Sequence, residues 1–405
     1  MVDNLFRKEY GNIVSFLTSK FGFNFLESAQ DITQDTLLLA FEKWKEDGVP
    51  NNPKGWLLTV AKNKAINFVK RESKSQALKT SQLKDQDVFT YDITLHQQIE
   101  DGMLEMIFRC CSNSIKIESQ IILVLNILGG FSRKELASAL VLEEETIKKR
   151  LYRAKKKIRE NDKLFQTPNI EKSADRLNSV LNSLYLLFNQ GYNSTSNENL
   201  IRKDICTEAL RLTQLLSNFY DKEYRVRALL ALMCFHIARF ESRIDDKGAI
   251  VLFKDQDRTL WSRELINKGI VELSAASEGQ ILSSYHLEAG IALQHCIANS
   301  YESTDWETIK HLYLQLYNFK SSPVIKLNLA VVEGITEGPK KAIEILEELK
   351  NKSKRLSKYY LLYASLGEFY KQLNRNEDAK INFKQAIELT HNQKEKELLL
   401  KKINE

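Results

Sequence analysis

The chain has 405 residues, of which 43% are hydrophobic, and 59 basic against 53 acidic side chains give a formal net charge of +6. That length exceeds one ordinary core and predicts about two to four domains. With 5 Pro, 15 Gly and apolar periods of three to four rather than two, the fold class predicted is all-α. No run of about 18 apolar residues occurs, so a membrane-spanning helix is not expected. The opening MVDNLFRKEYGN lacks a basic-then-apolar signal pattern, and a cytoplasmic protein is expected. Cys110, Cys111, Cys206, Cys234 and Cys296 show no CxxC spacing and sit in apolar helical contexts. They read as reduced, buried thiols rather than metal ligands or a disulfide framework.

The first predicted unit covers residues 1–75. Within it, Leu26–Trp44 has helical period, with an apolar stripe through Ile32, Leu37, Ala40, Phe41 and Trp44. Asp31, Gln34 and Asp35 line a polar, acidic flank, which is either a solvated face or a docking surface for a basic partner. Gly48, Pro50 and Pro53 force a loop, and a helix follows with Trp56, Leu57, Val60 and Phe68 inward. Lys62, Asn63, Lys64, Asn67, Lys70 and Arg71 occupy the rest of its circumference. Asn amides beside cations suit hydrogen bonding to exposed base edges. Lys54–Lys84 holds eight basic residues against one acid, Glu72. The polar, aperiodic stretch Ser73–Asp92 predicts a linker at 76–95.

A second helical unit is expected at 96–163. Ser132 followed by Glu135 is a capping box that starts a short helix with Leu136, Ala137 and Leu140 on its apolar face. Val141 and Leu142 mark a corner, and Glu143, Glu144 and Glu145 suit the positive N-terminal end of the next helix. In that helix Ile147, Leu151, Ala154 and Ile158 form one seam, while Lys148, Lys149, Tyr152, Arg153, Lys156 and Arg159 point away from it. Eight basic residues and no acid lie between Thr146 and Arg159. A lone charge run reads as a solvated face. Here a capped, tightly cornered partner helix precedes it, which is the arrangement that enters a DNA major groove.

A polar break, NDKLFQTPN, precedes a long α-helical extension at 171–405. Near its end Tyr363, Leu366, Gly367, Tyr370, Ala379, Phe383 and Ala386 stand at tetratricopeptide signature positions, with His391 where that motif has its final Pro. A weaker copy has Ala330 and Ala342 at its small positions, so repeats are predicted at about 323–391. Two stretches invite a chemical reading. KDQDRTLW gathers Asp255, Asp257, Arg258 and Trp261, at steps that equally describe a structural salt bridge and a core aromatic. YHLEAGIALQHC gathers His286, Glu288, His295 and Cys296, but the two His are nine apart rather than the four that would put two ligands on one helix face. No catalytic residue, metal or cofactor is expected. The extension reads as a regulatory domain, a protein-docking scaffold or a small-molecule site.

QDITQDTLLLAFEKW, PKGWLLTVAKNKAINFVKRE and TIKKRLYRAKKKIRE, in that order and separated by a polar linker, resemble the sigma-70 family of bacterial RNA polymerase sigma factors, most of all its extracytoplasmic-function subgroup. The resemblance covers roughly residues 5–162. LYLLFNQGYNS, KDQDRTLW, TDWETIKHLY and SPVIKLNLAVVEG resemble the long C-terminal extension of one such subgroup, ending in tetratricopeptide-like repeats. The resemblance implies a transcription initiation factor that docks on the β′ clamp and β flap of core RNA polymerase and directs it to promoter DNA. It implies β′ contacts for Asp31, Gln34 and Asp35, and a flipped −10 base at Asn63, with Lys62, Asn67, Lys70 and Arg71 around it. It implies a −35 element at Lys148, Lys149, Tyr152 and Arg153, with Lys156 alongside. Lys149 stands where a small Ser is common in the family, and Glu144 and Glu145 replace the usual small residues at the helix start, so the −35 sequence does not carry over. The rival reading is a stand-alone helix-turn-helix regulator with a repeat-type sensor. It needs the basic helix but not the acidic flank of the first unit.

Overall fold

The computed structural model describes residues 2–75, 93–140, 142–160, 174–192, 202–246, 248–354 and 356–404. The predicted linker falls almost wholly outside them. All regular structure among these residues is helical, and the only extended pairing is an isolated antiparallel bridge between Ile244 and Ile250. The chain divides into two units, Met1–Leu187 and Phe188–Glu405.

The first unit is built from α1 (Val2–Phe21), α2 (Leu26–Asp47), α3 (Pro53–Ser75), α4 (Ile93–Cys110), α5 (Ile117–Leu123), α6 (Arg133–Leu140), α7 (Glu144–Glu160) and most of α8 (Ala174–Tyr192). Helix α1 is central. It packs on α2, α3 and α4, and its Ile13, Val14 and Leu17 are fully buried. A π-helical turn, Val124–Leu128, continues α5 and also packs on α1. Gly11 permits that approach, because a Cβ there would lie 2.1 Å from the Leu128 carbonyl oxygen. Buried Gln120 ties α5 to α8 by accepting a 2.5 Å hydrogen bond from Ser183 Oγ.

The second unit stacks α9 (Lys203–Phe219), α10 (Tyr224–Ile237), α11 (Arg263–Ala276), α12 (Ser284–Ile297), α13 (Trp306–Phe319), α14 (Pro323–Thr336), α15 (Pro339–Lys352), α16 (Tyr360–Gln372), α17 (Asn376–Leu389) and α18 (Gln393–Asn404). Contacts run mainly between neighbours in sequence, α12 with α13, α13 with α14 and so on to α18. Helix α10 is buried on nearly every side, as its continuous apolar run Ala228–Phe235 requires. From α14 to α17, small residues meet aromatic rings. A Cβ on Gly367 would lie 2.5 Å from the Phe383 ring, and one on Gly334 the same distance from Phe369. Between α10 and α11 the chain is irregular, with short 3-10 turns at Phe240–Ser242, Phe253–Asp255 and Arg258–Leu260.

In the two stretches with a chemical look, Asp257, Arg258, Trp261 and His286 each have a structural partner. Asp257 caps the last of these turns by accepting a hydrogen bond from Thr259 N. Arg258 makes no salt bridge with Asp255, contrary to the spacing. The segment is a 3-10 turn rather than an α-helix, and Arg258 donates instead to the His295 and Ala298 carbonyls, both at 2.7 Å. Trp261 is the expected core aromatic, with Nε1 donating to Ser242 Oγ at 2.7 Å. His286 completes a capping box with Ser283 at the start of α12. All five cysteines are free and buried, and burial pushes the Cys111, Cys206 and Cys234 thiols up to about 12.

Candidate nucleic-acid interface

The helix-turn-helix assembles from local signals. Ser132 N donates to Glu135 Oε2 at 2.8 Å and Glu135 N donates to Ser132 Oγ at 3.2 Å, a closed capping box at the head of α6. Leu136 and Ala139 are buried beneath that helix. In α7 the seam Ile147, Leu151, Ala154 and Ile158 is buried throughout, and α7 packs on both α5 and α6. Burying each of the three larger seam side chains stabilises the module by about 1.5–3 kcal/mol.

The seam leaves the opposite face of α7 in solvent. Lys148, Lys149, Tyr152, Arg153 and Lys156 are all exposed, Tyr152 at 67%. Glu145 lies 3.7 Å from Lys148 and 3.9 Å from Lys149, and such exposed pairs contribute under about 1 kcal/mol. Pairs that weak leave Lys148 and Lys149 charged and accessible on the exposed face. The structure brings together all five positions assigned to this face from sequence. Arg159 does not join them. It is half-buried and ion-pairs with Glu27 of α2 at 2.8 Å.

On α3, Asn52 caps the helix by accepting a hydrogen bond from Gly55 N at 2.9 Å, and Leu57, Leu58, Ala61 and Ala65 are buried. Asn63, Asn67, Lys70 and Arg71 are exposed at steps of three to four, which makes one stripe. Lys62 lies at its margin and is half-buried. Lys64 points elsewhere, donating to the Asp35 carbonyl at 2.9 Å.

On α2, Asp31, Gln34 and Asp35 are exposed one turn apart, while Ile32, Ala40 and Trp44 are buried. Phe41, placed inward by its spacing, is 54% exposed. Trp44 takes the inner position instead, packing on Phe6 and Trp56 at ring distances of 5.5 Å. Leu38, 59% exposed, joins Phe41 on the outer face, so the acidic flank continues into an apolar patch.

Spacing alone did not reveal how α7 meets α2. Lys155 is half-buried and donates to Gln30 Oε1 at 2.7 Å, and desolvation lowers its pKa. Arg7 of α1 reaches Glu135 of α6 at 2.7 Å and lies 4.6 Å over the Phe131 ring. The helix-turn-helix is thus tied to α1 and α2, while its basic face stays outward.

Residues 5–75 match the family model for sigma-70 region 2, and residues 176–277 match a family of unknown function, DUF6596. The RNA polymerase sigma factor YlaC of Bacillus subtilis (strain 168) is 25% identical over 160 residues, 40% of this chain and 91% of the relative. The region 2 match and this relative support membership of the sigma-70 family. Uncharacterized protein R00370 of Rhizobium meliloti (strain 1021) is 34% identical over 377 residues, covering 92% of this chain and 88% of that one. The chain belongs to one family with that rhizobial protein, and its N-terminal module is a sigma-70 region 2.

Proposed function

We propose that the protein is a transcription initiation factor of the extracytoplasmic-function type, which binds core RNA polymerase and directs it to promoters. The observation that carries the reading is the presence, in one unit, of three outward surfaces with different chemistry. The acidic and apolar stripe Asp31, Gln34, Asp35, Leu38 and Phe41 suits docking on the polymerase β′ clamp. The Asn63, Asn67, Lys70, Arg71 stripe, with Lys62 at its edge, suits capture of unstacked −10 bases. The Lys148, Lys149, Tyr152, Arg153 and Lys156 face suits a −35 major groove, where Arg and Lys reach guanine edges and phosphates. No step is covalent. Polymerase binding and DNA deformation supply the selectivity.

The helices of the C-terminal unit are read as tetratricopeptide-like repeats that regulate the sigma module or dock its partners. Neighbour-to-neighbour stacking and ring-on-glycine contacts support that reading.

The test is run-off transcription with the full chain, sigma-free core polymerase and a genomic DNA library. Discrete new start sites that require the chain support the proposal. Sequence-specific DNA binding by the chain alone, with no transcripts and no polymerase binding, transfers the case to a stand-alone regulator.

A further inference from the structure

The C-terminal unit holds a cavity of about 720 Å³ between the irregular segment after α10 and helices α16 to α18. That volume suits a small organic molecule. Its walls are mostly apolar and aromatic, with Tyr192, Phe253, Tyr360, Leu398 and Leu399 among them. Two arginines also line it, Arg239 and Arg243.

Arg239 is 8% exposed. Its guanidinium lies 4.4 Å over the Phe253 ring and 5.3 Å from Trp261, and donates to Gln256 Oε1 at 3.3 Å. Its Nε is buried with no hydrogen-bond partner. Arg243 lies 4.0 Å over the Tyr192 ring and donates to the Tyr192 carbonyl at 3.2 Å. Neither forms an ion pair among the described residues. Elsewhere in the same unit four partly buried arginines do, Arg202 with Asp204, Arg211 with Glu208, Arg225 with Glu223 and Arg227 with Glu272, all within 2.9 Å, while Arg258 instead donates to two backbone carbonyls.

A buried guanidinium without a counter-anion is costly, and proteins normally pair it. The cavity's own carboxylates do not serve. Glu395 accepts from Tyr360 Oη at 2.5 Å and from Thr390, and Glu368 is paired with Lys402. The neighbouring imidazoles cannot serve either. An imidazole is neutral or cationic, and burial, reinforced by Arg239, lowers the pKa of both His236 and His295 to about 3.

We propose that this cavity binds a small organic acid, its carboxylate on Arg239 and Arg243 and its apolar or aromatic body against the ring-lined walls. The site stands independently of the promoter reading. A planar guanidinium fork matches a carboxylate in two parallel hydrogen bonds, and both arginines line the cavity.

The experiment is calorimetry and thermal shift on the full chain. The probes are straight-chain carboxylates from butyrate to decanoate, phenylacetate and indole-3-acetate. Their neutral amides and inorganic phosphate serve as controls, and the aliphatic and indole arms separate the two kinds of body. At least one acid is expected to bind with Kd under about 1 mM, and its amide at least about tenfold more weakly. Arg239→Met is expected to abolish that binding. Since this buried variant risks misfolding, Arg243→Gln, expected to weaken binding about tenfold, and cavity-filling Ala364→Leu carry the test in parallel. No response to any acid, equal binding of acid and amide, phosphate binding as tightly as the acids, or full binding by Arg243→Gln would each overturn the proposal.

Discussion

Gly11 of α1 sits directly against the carbonyl of Leu128, where α1 meets the π-helical turn that precedes the helix-turn-helix. A Cβ at this position would lie 2.1 Å from that oxygen and 2.9 Å from its carbon. Backbone atoms cannot rotate aside, so any side chain at residue 11 must push α1 and the π-helical turn apart. Gly11→Ala is expected to cost about 1–3 kcal/mol of overpacking, more than the roughly 1 kcal/mol of helix propensity it gains. The check is the midpoint of urea unfolding of the full chain. A midpoint at or above that of the parent would mean the helices do not approach this closely in solution.

Lys149 and Arg153 are exposed on α7, so replacing either with Ala should leave folding stability within about 0.5 kcal/mol. On the proposed function, promoter binding by the holoenzyme weakens. A lost bidentate base contact costs about 1–3 kcal/mol at one promoter position. A lost phosphate contact weakens all promoters and lowers the salt slope by about one. Titrations at several salt concentrations distinguish the two. Unchanged transcription in both variants would remove this face from the interface.

Phe41→Ser tests the outer face of α2. The side chain is 54% exposed and leaves no cavity when removed. Thermal stability is expected to hold while affinity for core polymerase falls about tenfold, which is roughly 1.4 kcal/mol. A pull-down with purified core reads it directly. Undiminished binding would place the polymerase contact elsewhere.

The seam of α7, the capping box at Ser132 and the exposed basic face were legible in sequence because each depends on neighbours within one or two turns. Phe41 was not. Residues 40, 41 and 44 lie close on a helical wheel, and only the docking of Trp44 on Phe6 and Trp56 decides which of them turns in. The contacts of Lys155 with Gln30 and of Arg159 with Glu27 join residues more than a hundred positions apart, beyond any local period. Arg258 was misread for a related reason. Steps of three suggest a helix, but the segment folds as a short turn anchored on α12 carbonyls.

The histidines behind the cavity set a pH dependence. Burial, reinforced by Arg239 and other nearby arginines, lowers the pKa of both His236 and His295 to about 3. An unfolded His titrates near about 6.5. Between those values the unfolded chain binds more protons than the folded one, so stability rises with pH. It is complete above about 6.5 and is lost as pH falls toward 3, each ring contributing at most about 1.4 kcal/mol per pH unit. The melting midpoint should therefore drop steeply between pH 6.5 and 4, and His295→Phe should flatten the drop. An unchanged slope in that variant would show that His295 is not buried neutral.

Gly367→Ala addresses the packing of α16 on α17. The new methyl would meet the Phe383 ring at 2.5 Å, and a destabilisation of about 1–3 kcal/mol is expected. Adding Phe383→Leu should recover part of the loss, because a smaller side chain makes room. Additive losses in the double variant would mean that the two positions do not touch.

The packing of the helix-turn-helix onto α1 and α2 also carries a thermodynamic consequence. A unit of this length has a radius of gyration of about 16 Å, hence is about 40 Å across. On the proposed function it reads elements at −35 and −10, which lie roughly two and a half turns of duplex apart, about 85 Å. The packed arrangement cannot touch both, so a reading-competent molecule has its halves separated. If one chain in a hundred is open at rest, apparent promoter affinity falls about a hundredfold, and polymerase that holds the open form restores it. Weakening the Gly11 junction then has opposite effects on two readouts: a chain that melts earlier and binds its promoter more readily.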